Sequence, residues 1–166
     1  LLIFATELNG KKELVKRDDL FKLLEGLMVT NAKVIVIDSE QPSDIADLGE
    51  AGKLAKRHVI WYNPISDGSG QIREEKEIDR LLLAADMALV FSGHMELIQL
   101  LMNYGVVVLG EESSPLLEDY NPNHESGNAF TYKHKDAWGI FASIVRALET
   151  FRFPFDWRNL VRKIYK

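Results

Sequence analysis

The chain has no cysteine among its 166 residues, which excludes disulfides and thiolate metal sites. No apolar run approaches the ~18 residues that a membrane-spanning helix needs. Bases are the minority charge, 20 against 25 acids, and the resulting net charge of −5 argues against nucleic acid as a partner. The four histidines (58, 94, 124 and 134) lack H-x-x-x-H or related spacing, so no metal site is expected. No signal or transit pattern opens the chain. The expected setting is therefore cytoplasmic, with no membrane partner and no resident cofactor. Leu1 is not a methionine, and the first residues already read as a buried strand. The expectation is a single domain over 1–166, cut from a longer protein.

What is present is an alternation of short apolar runs and amphipathic stretches. Leu1–Thr6, Lys33–Ile37, His58–Tyr62, Met87–Phe91 and Val106–Leu109 read as strands buried on both faces. Ala129–Tyr132 offers a sixth. Between them, Leu20, Leu24, Leu27 and Met28 mark a helix that Asp18 or Asp19 can cap. Ile45, Leu48, Ala51 and Leu54 suggest a weaker one, and Glu74–Ala85 another. Leu97, Ile98, Leu101 and Met102 recur at helical spacing until Tyr104-Gly105 stops them. Asp136 caps a helix with Trp138, Phe141, Val145 and Leu148 on one face, and the last helix carries Trp157, Leu160, Val161 and Ile164. Strands alternating with helices give an α/β fold, a doubly wound parallel sheet of Rossmann-like type. The expected strand order is 3-2-1-4-5, with the sixth beside the fifth.

In such sheets ligands sit at the carboxyl ends of the strands. That directs attention to Ser92, His94 and Glu96 after the fourth strand, and to Ser113 and Ser114 after the fifth. Lys11 and Lys12 follow the first strand; they fit phosphate ligands or an ordinary solvated pair. Glu96 fits a catalytic carboxylate or a first-turn acid placed by the helix dipole. Ser113 and Ser114 fit phosphate ligands or a helix cap.

The ordered pieces TELNGKK (6–12), AADMALVFS (84–92), MNYG (102–105), SSPLLEDYNP (113–122) and SGNAFTY (126–132) resemble the C-terminal domain of glycogen and starch synthases. These are retaining glycosyltransferases of the two-domain GT-B fold. The resemblance implies one half of a GT-B fold, with ADP-glucose or UDP-glucose as donor and glucose passing to an α-glucan. It implies the N-terminal GT-B domain of the parent chain as partner, and Glu96 as the nearest match to the catalytic-loop glutamate. Lys11, Lys12, Ser92, His94, Ser113 and Ser114 would contact the nucleotide sugar. The family's donor-binding arginine aligns with Glu7, and its paired phosphate-facing glycines align with Glu111 and Glu112. A diphosphate wants cations and backbone N–H groups, so these swaps imply an eroded donor site and no activity for the chain alone. The alternative is a non-catalytic binding or scaffold module that keeps the glycosyltransferase fold. A receiver-type domain would want an acidic pair after the first strand, where Glu7 stands alone. Trp157, Leu160 and Ile164 are expected to form a partly bare stripe for the missing domain.

Overall fold

A computed structural model describes residues 1–5, 15–30, 32–38, 59–62, 75–91 and 94–165. Six strands form one all-parallel sheet: β1 (Leu2–Phe4), β2 (Val34–Ile37), β3 (Val59–Tyr62), β4 (Met87–Val90), β5 (Val107–Glu111) and β6 (Ala129–Tyr132). Their order is β3-β2-β1-β4-β5-β6, as expected. Five helices are described: α1 (Arg17–Leu27), α2 (Glu75–Leu83), α3 (Met95–Asn103), α4 (Ala137–Phe151) and α5 (Pro154–Ile164). The fold is a doubly wound, Rossmann-like α/β sheet.

The period of two along each strand assigns its side chains to two cores. Ile3, Leu89 and Leu109 face one side, where α1, α4 and α5 supply Leu20, Leu24, Ile140, Ile144, Trp157 and Leu160. Leu2, Phe4, Ala88, Val90 and Val108 face the other, where α2 and α3 supply Leu82, Ile98 and Leu101. Both faces of β1 and β4 are covered, which is why these central strands are apolar at every position.

Several boundaries differ from expectation. Lys16, not Asp18 or Asp19, is the N-cap of α1; the two aspartates lie in its first turn, where the dipole favours them. The α4 stripe is rotated by about one residue. Its buried residues are Ile140, Ser143, Ile144 and Ala147, whereas Trp138 is 80% exposed and Val145 is exposed as well. The stripe on α5 is core: Trp157 and Leu160 are buried, and Val161 and Ile164 pack partly buried against them. Two of the three residues expected in a partly bare docking stripe are therefore core, and the third, Ile164, is half-buried. The Asp136 cap of α4 is as expected, its Oδ1 accepting the Gly139 N–H at 2.7 Å. So is the stop of α3. Val106 N–H reaches the Leu101 carbonyl and Gly105 N–H the Met102 carbonyl, with Gly105 at φ +73°. The weak helix read over 45–54 lies outside the described residues.

Candidate functional site

The strand order reverses between β1 and β4, so the crevice lies at their carboxyl ends. Ala5 and Phe91 leave these strands, and both are buried. Glu7, Lys11, Lys12 and Ser92 lie outside the described residues. His94 is the N-cap residue of α3, and Glu96 lies in its first turn with its side chain exposed.

The neighbouring edge, after β5 and β6, is described in full. Gly110 has no side chain to offer; a Cβ there would meet Leu117 Cδ1 at 2.5 Å. The Tyr132 hydroxyl crosses from β6 and donates to the Val90 carbonyl at 2.9 Å. Burial first, then the nearby Glu111 charge, raise the Tyr132 pKa, so the phenol remains a donor. This phenol and Leu117 close over the end of β5.

Glu111 and Glu112 are not the bare carboxylates that the sequence suggested. Lys135 Nζ lies 3.0 Å from Glu111 Oε1, and Lys133 Nζ lies 3.4 Å from Glu112 Oε1. Ser113 Oγ donates to Glu111 Oε2 at 3.2 Å, so this serine binds a carboxylate of its own chain. Ser114 is buried, and its hydroxyl has no hydrogen-bond partner among the described residues. Neither serine caps a helix: Ser114 N–H bonds the Glu111 carbonyl and its own carbonyl accepts from Leu117 N–H, a turn. At the end of β2, the buried Asp38 carboxylate meets Arg17 Nη1 of α1 at 2.7 Å. Among the described residues, the charges at this edge are thus matched pairs.

The most specific piece of the resemblance, Asp119–Pro122, has a structural role. Asp119 Oδ1 accepts from Thr131 N–H at 2.8 Å, and its Oδ2 takes Arg146 Nη2 of α4 at 2.8 Å. Burial pushes its carboxyl up, but Arg146 and the Thr131 N–H outweigh that and hold it below the usual value. Tyr120 is buried edge-to-face on Phe130, ring centroids 5.7 Å apart. Asn121 and Ser126 bridge across a tight reversal, and Gly127 follows at φ +89°. Asn128 clamps the base of the loop, accepting from Glu118 N–H at 2.8 Å and donating to the Leu116 carbonyl at 3.0 Å. These residues fix a loop; they do not line a crevice.

Sequence reasoning missed Lys133, Lys135, Arg146 and Arg17. The first two were findable, because adjacent parallel strands bring the residues that follow them side by side. Among the described residues no three His, Asp or Glu side chains converge as a metal site would require. No described helix is long and apolar enough to cross a membrane. No protein-family model and no curated protein matches the chain. Fold and edge together define a doubly wound α/β domain whose β5–β6 edge is closed by its own side chains.

Proposed function

We propose that this chain is the donor-side domain of a glycosyltransferase resembling glycogen and starch synthases, with an eroded donor site. In such an enzyme glucose would pass from ADP-glucose or UDP-glucose to an α-glucan, with the acceptor held by an N-terminal GT-B domain. The observation that carries this reading is the long connection from Glu111 to Asn128. It carries Asp119-Tyr120-Asn121-Pro122, follows the fifth strand in the sequence order of the family pattern, and is tied to β6 and α4. The erosion rests on the neighbouring edge, where the two family glycines are Glu111 and Glu112, each held by a lysine.

A second reading, a non-catalytic module on the same fold, gains from the exposed Glu96 and from the Tyr132 phenol that closes the end of β5. Titration calorimetry at low salt separates the two. The native chain should bind ADP-glucose and UDP-glucose with a dissociation constant above about 100 μM, roughly −5.5 kcal/mol. Glu7→Arg with Glu111→Gly and Glu112→Gly should bring binding into range if the domain is an eroded donor site. A triple variant that still ignores both donors leaves the non-catalytic reading.

A further inference from the structure

A groove of about 470 Å³ runs between α1 and the first turns of α4. Its wall is Trp138, 80% exposed, resting edge-to-face on Phe141 with centroids 6.3 Å apart and planes at 85°. Gly26 lets Phe141 lie close to α1, since a Cβ there would already meet the ring at 3.2 Å. The rim is charged: Asp19 and Glu25 from α1 and Asp136 from the α4 cap, against Lys22, whose Nζ is 4.0 Å from Asp19. Two carboxylates thus remain in excess around an open indole.

That combination selects its occupant. An anion would be repelled. An aliphatic segment would strip water from carboxylates without pairing them. A neutral sugar would use the indole face but gain nothing from the surplus charge. A guanidinium uses both, because its plane stacks on an aromatic face and its N–H fork fits a carboxylate. We propose that this groove docks an arginine-bearing segment of a protein partner, with the guanidinium on Trp138 and its fork toward Glu25 or Asp19. The helices that form it begin at the carboxyl edge of the sheet, so the partner would lie beside the crevice. The inference does not depend on the nucleotide-sugar reading.

The test is a nuclear magnetic resonance titration of the full chain at low salt with acetyl-Gly-Arg-Gly-Arg-Gly-amide. The same peptide with Glu for Arg, and maltoheptaose, run beside it. The arginine peptide should shift the Trp138 indole N–H and the Gly26 amide saturably, and the glutamate peptide should not. Trp138→Ala, a change at an exposed position, should weaken binding read at Gly26 by about threefold to tenfold. Glu25→Gln should weaken it as well. The proposal is overturned by the absence of a saturable shift. It is equally overturned by unchanged affinity in Trp138→Ala, which would mean diffuse attraction to a chain of net charge −5. Shifts from maltoheptaose without shifts from the arginine peptide would mark a saccharide platform instead.

Discussion

Asp119 and Arg146 meet end-on, Nη2 to Oδ2 at 2.8 Å and Nη1 to Oδ1 at 3.3 Å, and the guanidinium lies 5.6 Å from the Phe130 ring centre. The pair joins the loop before β6 to the helix after it. Because both partners are roughly half exposed, the ion pair by itself stabilises little. The Thr131 N–H on the same carboxylate adds a bond that Asn would keep and Ala would lose.

Asp119→Ala should therefore cost about 1–2 kcal/mol in urea denaturation, and Asp119→Asn less. The acid limb gives a second readout. The folded carboxyl titrates below its ordinary value of 3.8, so its stabilisation is complete above that pH. It is lost as pH falls through the lower folded value. Asp119→Asn should lose less stability than the native chain as pH falls below 3.8. Parallel acid profiles for the two would show that Asp119 is not the linked group.

Gly127→Ala should be among the costliest single changes in the loop. The residue sits at φ +89°, and a Cβ would come within 2.3 Å of the Asp119 carbonyl oxygen. Positive φ combined with a backbone clash should cost about 2 kcal/mol or more, seen as a lower urea midpoint at unchanged slope. A loss within 0.5 kcal/mol, roughly the surface-substitution range, would mean that the loop readily shifts away.

Two aromatic or aliphatic truncations should behave oppositely. Leu160→Ala empties a fully buried position and should cost about 2–5 kcal/mol. Trp138→Ala touches an exposed side chain and should stay within about 0.5 kcal/mol. Equal losses would contradict the assignment of α5 to the core and of Trp138 to the surface.

Glu111→Gln with Glu112→Gln releases Lys135 and Lys133 from their partners. ADP affinity should rise at least about tenfold, equivalent to roughly 1.4 kcal/mol, if charge is the obstacle at this edge. If calorimetry finds no gain, the Tyr132 phenol and Leu117 bar the phosphate by shape.

The sheet was legible in the sequence because each central strand is apolar on both faces, and few other arrangements bury such runs. The helix faces were less so. In α4 both Trp138-Phe141-Val145 and Ile140-Ile144-Ala147 are apolar at helical spacing, and only packing on the sheet selects the second. The α5 stripe looked like a surface for a missing domain because its destination, the face shared with Phe130 and α4, is set by the whole chain. Charge at the candidate site was misread because the expected β5–β6 adjacency was not followed past the strand ends. Glu111 and Lys135 stand far apart in sequence, and only the β5–β6 pairing makes them neighbours. Glu7, Lys11, Lys12 and Ser92, by contrast, lie outside the described residues, so their expected roles stand on sequence alone.

The loop tied down by Asp119 also bears on how the sheet ends. β6 is the last strand on its side, and a terminal strand invites pairing with another chain. Here three of the outward groups are already taken. Ala129 N–H bonds the Glu118 carbonyl, the Ala129 carbonyl accepts from Tyr120 N–H, and Thr131 N–H bonds Asp119 Oδ1. The loop acts as a guard rail: a strand from a second copy finds both of these donors and the Ala129 carbonyl already bonded. Loss of the Asp119 and Tyr120 contacts would uncover that edge to pairing with another chain, whatever chemistry the domain carries.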